Sequence, residues 1–480
     1  MYATIFNVLT TVYMQIAFHG AARTVTGSKH LITLNNGKKI LLDCGMFQGL
    51  GRDTFSLNSS FGFDAITINY LLLSHAHIDH SGLIPKLVRE GFEGKIFCTP
   101  ATKDLAGILL MDSAEIQRDD TQYTNKKRLK KGLEPYDVLY DVADVQKTLP
   151  LFNIINYNEW FTIEQGIDVL YTDTGHITGA AAVHVRITEN NVTRQVSFSG
   201  DVGRFNDVIL KQPEIFPQAD YIIIESTYGN SLHHDTANTS AELYKWIEKT
   251  CIHKKGKLII PAFSVGRTQE LLYFLNELSL QHTLNNIPVF VDSPLSKEAT
   301  EVVKLYPENF NGIIQELLKT DSDPFAFDEL KFIENATESK ALNDDHRPMI
   351  IIAASGMADA GRVKHHIKNS VEQSRNTILI VGYCEPNSLG GQLMNGAKQV
   401  RIFSEEYEVN AEVGVMRSMS AHGDYDDLLH FLNCQQPGAV KKLFIVHGEY
   451  NVQQDFEKKL EAAGFKDVSI PALHTKINLE

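Results

Sequence analysis

The densest chemistry in the chain lies in six residues. His75-Ala-His77-Ile-Asp79-His80 sets three imidazoles and a carboxylate on one turn, directly after the apolar run Tyr70 to Ser74. Burying these groups unpaired is costly, whereas a divalent cation satisfies them together. A polar surface loop is the plain alternative, and it gives no reason for this spacing. One turn cannot close two coordination spheres, so further ligands are expected at other strand ends. His176 in Thr-Gly-His176 and Asp201 in Ser-Gly-Asp201 both follow strand-like runs beside glycines. Each alone reads as an ordinary turn residue; the cluster makes both candidates. Imidazole and carboxylate without thiolate suit Zn²⁺, with Mn²⁺ as the alternative. The five cysteines are scattered with no C-x-x-C pair, so neither a thiolate metal site nor a disulfide framework is expected.

The elements that must position these residues are short β runs with polar turns: Met14 to Phe18, His30 to Leu34, Lys39 to Asp43, Tyr70 to Ser74, Lys95 to Cys98, Val169 to Thr172, Ala181 to Ile187 and Arg194 to Ser199. They predict two sheets in a sandwich. Residues 101–152 read as mainly helical, with a basic run at 126–131 before Gly132 and Pro135. After Tyr221 the runs Tyr221 to Ile224, Lys257 to Ile260, Pro288 to Val291, Met349 to Ala353 and Thr377 to Val381 are apolar on both faces and alternate with helix-like segments, as buried parallel strands do. The fold class is therefore α/β: a sandwich (14–228 and 417–480) interrupted by a doubly wound α/β domain (229–416). Residues 1–13 precede the first β pattern, and the natural start is expected near Met14.

Length and composition fit a globular chain of two or three domains: 480 residues, 43% apolar, 22% charged. No apolar run reaches the ~18 residues of a membrane helix, and the start lacks a signal peptide's pattern, so a cytoplasmic protein with no membrane partner is expected. The net charge of −14 opposes general polyanion binding. Basic residues would have to converge locally to offset it.

The motif turn, the later His176 and Asp201 together resemble the metallo-β-lactamase superfamily and its αββα sandwich. The long stretch between Asp201 and His447, with Glu225 in Glu-Ser-Thr-Tyr-Gly, His422 in Ser-Ala-His-Gly-Asp and His447 in Val-His-Gly-Glu, looks like the β-CASP nucleases and their inserted cap. Pro261-Ala-Phe-Ser-Val-Gly-Arg-Thr-Gln-Glu270, Ala354-Ser-Gly-Met357 and Gly20 to Ser28 are similar to the branch of the pre-mRNA 3′-end-processing endonuclease and its bacterial and archaeal relatives.

That resemblance implies one zinc on His75, His77 and His176, a second on Asp79, His80 and His447, and Asp201 bridging them. Two such ions activate water and neutralise both oxygens of a phosphodiester exchange. Asp43 of Leu-Leu-Asp-Cys-Gly45 is expected to orient a ligand histidine. His422 is expected as general acid for the leaving 3′-oxygen, with Glu225 fixing its tautomer. His447 at its motif favours RNA over DNA. Candidate phosphate contacts are Ser264, Arg267, Ser355, Gly356 and Arg362, with the 126–131 run; an Arg267–Glu270 pair across one helical turn and a solvated helix face are the plain alternatives. Lys364, His365 and His366 read as an exposed helix face.

The expected activity is zinc-dependent hydrolysis of single-stranded RNA, endonucleolytic with 5′-exonuclease action as a variant, and a homodimer is among the assemblies considered. The rival readings are a small-ester or thioester hydrolase and a non-catalytic RNA-processing partner.

Overall fold

The computed structural model describes residues 14–233, 238–321 and 323–480; the expectation for residues 1–13 falls outside them. Two seven-stranded sheets face each other. The first runs in the order Lys476–Leu479, Met14–Phe18, His30–Thr33, Lys39–Leu42, Tyr70–Leu72, Lys95–Cys98, Phe152–Ile154. The second runs Val468–Ser469, Lys442–Ile445, Tyr221–Ile224, Val192–Phe198, Ala181–Glu189, Ile167–Asp173, Phe161–Glu164. Alternation places Val183, Val185 and Ile187 against Phe18, Ile40, Leu42 and Leu72 between the sheets. Each such fully buried side chain contributes about 1.5–3 kcal/mol of transfer free energy.

The register at the second sheet explains how one turn's ligands meet residues hundreds of positions away. Val196 to Phe198 pair in parallel with Tyr221 to Ile223, and Tyr221 to Ile224 pair in parallel with Lys442 to Ile445. Three adjacent strands thus end together, delivering Asp201, Glu225 and His447 to one edge. In the first sheet Lys39–Leu42 and Tyr70–Leu72 are also parallel, which brings Asp43 and His75 to the same end. The returning strand Lys476–Leu479, unread in the sequence, pairs antiparallel with Met14–Phe18.

Between Ile224 and Lys442 the chain builds a six-stranded parallel sheet, ordered Leu330–Phe332, Val289–Val291, Met349–Ala353, Lys257–Pro261, Thr377–Ile380, Glu412–Val415. Its faces are covered by different helices. Leu258 and Ile260 pack with Leu271, Leu272 and Leu275 of helix Arg267–Leu280; Ile259 and Ile351 pack with Val363 and Ile367 of helix Val363–Ser370. That two-sided cover is why these strands read as apolar throughout.

Helix Pro100–Leu129 is capped by the Thr99 hydroxyl, which accepts from the Thr102 N–H. Its buried residues end at Ala114, and near its C-terminal end Lys127 Nζ donates to Ser404 Oγ of the cap (3.0 Å). No helix of the described residues is long and apolar enough to cross a membrane.

The cap is held to the sandwich by a buried charge cluster. Arg204 is 1% exposed and donates to Glu270 (2.9 Å), Asp207 (3.4 Å) and the Ser418 carbonyl. Arg267 pairs with the other Glu270 oxygen. Replacing Glu270 with Ala leaves two guanidiniums buried beside each other and is expected to cost about 3–5 kcal/mol. A fall in thermal midpoint of several degrees would register it; an unchanged midpoint would remove the cluster's structural role.

Candidate metal centre

Asp201 lies at the middle of the site and is 2% exposed. Its Oδ2 is 3.4 Å from both His75 Nε2 and His176 Nε2, and its Oδ1 is 3.2 Å from His80 Nε2 and 3.5 Å from His447 Nε2. The two oxygens therefore divide the histidines into two sets. His77 Nδ1 stands 3.2 Å from His176 Nε2 in the first; Asp79 Oδ2 stands 3.4 Å from His447 Nε2 in the second. Facing ring nitrogens without a proton between them repel, and His75 Nε2, His77 Nε2 and Asp201 Oδ1 are buried with no hydrogen-bond partner. His75, His77, His176 and Asp201 form one cluster within metal-ligating reach; Asp79, His80 and His447 form another. This donor set fits divalent cations better than any arrangement of hydrogen bonds.

The outer ring nitrogens fix which nitrogen faces inward. His80 Nδ1 donates to Asp43 Oδ2 (2.6 Å), and Ser74 Oγ also donates to that oxygen (2.9 Å), leaving its own lone pair for His75 Nδ1 (3.1 Å). His176 Nδ1 donates to the Ala421 carbonyl at 3.4 Å. Thr227 Oγ1 donates to Glu225 Oε2 (2.6 Å) and accepts from His447 Nδ1 (3.1 Å). In each case an acceptor outside holds the proton there and turns the Nε2 lone pair into the site. Asp43 thus serves His80 directly and His75 through Ser74. Glu225 serves His422 directly and His447 through Thr227.

Protonation states agree with this except at His80, where burial lowers the imidazole pKa but Asp201, Asp43 and Asp79 carry it well above its ordinary range, so that a cation must displace that proton. Burial pushes the His75 and His176 imidazoles well below their ordinary range, with His80 and His422 respectively adding to it. Burial works against ionising Asp201, yet the surrounding His447, His80 and His75 hold it well below the usual carboxylate range. Asp79 is held down to about 2, since the neighbouring His80 and His447 outweigh its burial. Neutral imidazoles and ionised carboxylates are the metal-binding forms.

The turn itself is dictated locally. Gly45 sits against the Asp79–His80 backbone so closely that a Cβ there would lie 1.6 Å from the Asp79 carbonyl oxygen. Asp43 adopts a left-handed φ of +57°, which aspartate tolerates better than most residues.

His422 and Glu225 are brought together as expected. Glu225 is fully buried and its two oxygens lie 3.1 and 3.2 Å from His422 Nδ1. Burial lowers the His422 pKa, but Glu225 and then Asp201 reverse this and carry it up to about 9. His422 Nδ1 is 3.9 Å from Asp201 Oδ2.

Most of the candidate phosphate contacts in the cap already have partners within the protein. Arg267 borders a cavity with His176 and Ala421, but its guanidinium is taken by Glu270. Arg362 is committed to the cap, donating to Asp292 Oδ1 (2.7 Å), the Ile333 carbonyl (3.1 Å) and the Glu334 carbonyl (2.8 Å). His366 is buried, not exposed, because Asp292 Oδ2 accepts from it at 2.6 Å. Ser264 lies 3.4 Å from the Ser293 hydroxyl, Ser355 bonds Ala360, and Gly356 leaves room for Phe263, whose ring centroid is 6.1 Å from that of His77. Sequence reasoning missed Ser74 and Thr227; their positions one residue before His75 and two after Glu225 were the available signal.

Because Asp43 orients two candidate ligands, His80 directly and His75 through Ser74, Asp43→Asn is expected to weaken metal affinity by about 10–100-fold. Competition against a chromogenic chelator measures it, and undiminished affinity would refute this role.

A sandwich that gathers imidazoles and carboxylates at its strand ends defines the class of metal-dependent hydrolases. Family models agree along the chain: the metallo-beta-lactamase superfamily matches residues 26–233, the Beta-Casp domain 268–393, and a Zn-dependent metallo-hydrolase RNA specificity domain 406–471. Ribonuclease TTHA0252 of Thermus thermophilus is 34% identical over 454 residues, covering 94% of this chain and 95% of that one. Transcription termination factor FttA of Methanocaldococcus jannaschii is 28% identical, covering 96% of this chain and 70% of its own. An RNase J-like protein of the same organism is also 28% identical, covering 90% and 92%. A solved protein of unknown function from Enterococcus faecalis shares the fold, with a TM-score of 0.51 at 11% identity over 97% of this chain and all of that one. The chain belongs to the β-CASP family of the metallo-β-lactamase superfamily.

Proposed function

We propose that the protein is a cytoplasmic ribonuclease that hydrolyses single-stranded RNA where the sandwich (14–228 and 417–480) meets the cap (229–416), cutting internally and, on a free 5′ end, exonucleolytically. Two Zn²⁺ ions, or Mn²⁺, would be held by His75, His77 and His176 and by Asp79, His80 and His447, with Asp201 between them. Bound there, they supply an activated water and charge neutralisation at the scissile phosphate.

The chain's own residues do the rest. His422 carries a proton on the ring nitrogen away from Glu225 and gives it to the leaving 3′-oxygen. Glu225 holds the opposite nitrogen, so the ring is fixed in place and remains charged at neutral pH. Asp43, Ser74 and Thr227 keep the ligand rings aimed inward. The observation that carries the reading is the His422–Glu225 pair beside Asp201: a thioester leaves as a thiolate that needs no such acid, and a non-catalytic partner has no use for a complete ligand set.

The test is a substrate panel for the zinc-loaded protein: single-stranded RNA labelled at its 5′ end or internally, matched DNA, and a thioester. Cleavage of RNA alone supports the proposal. Thioester cleavage with intact RNA would overturn it.

A further inference from the structure

We propose that the exposed C-terminal end of helix Pro100–Leu129, together with Phe55 and Tyr136, is a second binding site for single-stranded RNA, outside the cleft. It rests on the ribonuclease reading for its substrate class and extends it to a surface that reading does not use.

Charge is the first observation. Lys126, Lys127, Arg128, Lys130 and Lys131 gather five cations on one tip of a chain whose net charge is −14. Lys126, Lys130 and Lys131 are exposed, and none enters an ion pair among the described residues. A solvated helix face accounts for lysines alone but not for what accompanies them. Tyr123, Phe55 and Tyr136 are 49%, 40% and 38% exposed on the same tip. The Phe55 and Tyr136 rings stack at 4.5 Å and 29°, the Arg128 guanidinium lies 3.7 Å over Tyr136, and the Lys127 ammonium lies 4.3 Å over Tyr123. With Tyr136 covered by Phe55 and Arg128, the ring surface left open belongs to Phe55 and Tyr123; open ring surface beside cations binds a single strand without reading its sequence, because every base has a face and every nucleotide a phosphate.

Both parts of the tip are anchored beside the metal centre. The segment leading to Phe55 starts at the motif turn, where the Cys44 and Met46 N–H groups donate to the His80 and Ile78 carbonyls (2.8 and 2.9 Å). It then passes the cap at Gly49, against Glu385. The helix starts where the Thr99 and Thr102 hydroxyls donate to the Gly179 carbonyl (2.7 and 2.8 Å), three residues beyond His176. At 1.5 Å per residue its 30 residues span about 45 Å. At the far end Lys127 Nζ donates to Ser404 Oγ of the cap (3.0 Å). A strand leaving the cleft along this wall meets the tip only if it is long enough.

Length is therefore the test. Polyuridylate of about 5 and about 30 nucleotides is compared on the zinc-loaded full chain and on a variant carrying Lys126→Glu, Lys130→Glu and Lys131→Glu. For the long strand, anisotropy should show Kd raised on the order of tenfold, with the slope of log affinity against log salt reduced by about two. Phe55→Ala should weaken long-strand binding by about fivefold or more without changing that slope. In cleavage, KM should rise for the long strand alone, leaving kcat/KM on the short strand unchanged. Equal losses at both lengths, or an unchanged Kd and slope, would overturn the site. If the wild type cuts neither strand, the ribonuclease reading fails, and the binding measurement still decides the tip.

Discussion

Asp201→Asn is expected to reduce RNA cleavage by at least about a thousandfold and to lower bound metal in the same preparation. Its two oxygens face different histidine sets, Oδ2 toward His75 and His176 and Oδ1 toward His80 and His447. Asparagine keeps the volume but presents one oxygen, one N–H₂ and no charge. Both sets then lose their shared anion, and the set facing the amide nitrogen meets donors aimed at nitrogens that Asp43, Thr227 or Ala421 have already turned lone-pair inward. Elemental analysis with circular dichroism separates this from unfolding: metal should fall below the wild-type ratio while the spectrum stays native. Full activity at wild-type metal content would show that Asp201 bridges nothing.

The second large effect concerns the proton. His422→Ala is expected to lower kcat by about 10²–10⁴ while metal content stays at the wild-type level, because the ring lies outside both ligand sets. Glu225→Gln should give a smaller loss with a distinctive pH signature. Glu225 and Asp201 are the groups that raise the His422 pKa to about 9 against its burial, with Asp79 adding to them. Removing the Glu225 charge lowers that pKa, so the protonated form is lost at lower pH and the alkaline limb of the rate profile moves toward neutrality. A limb that stays in place would assign the alkaline limb to another group.

The motif turn was legible because its ligands are contiguous and no packing argument explains them. His176 and Asp201 were legible through neighbouring glycines at strand ends, and the parallel cap through strands apolar on both faces. Harder to read was anything set by a distant partner. Whether an arginine has a carboxylate partner depends on tertiary neighbours: Arg362 pairs with Asp292, 70 positions away, and Arg267 with Glu270, which Arg204 also holds. His366 looked exposed for the same reason, since its helix gives no sign of Asp292. The strand Lys476–Leu479 was invisible because half its residues are polar and its partner lies at the other end of the sequence. Ser74 and Thr227 were passed over because a hydroxyl beside a ligand has no spacing of its own.

The central claim is hydrolysis: water attacks phosphorus and His422 protonates the departing 3′-oxygen. Cleavage in ¹⁸O-enriched water, with mass analysis of the new RNA ends, tests it most directly. The account predicts a 3′-hydroxyl on one fragment and a 5′-phosphate carrying one solvent oxygen on the other. A 2′,3′-cyclic phosphate free of solvent oxygen would mean that the RNA's own hydroxyl attacks, and would contradict the roles assigned to this centre.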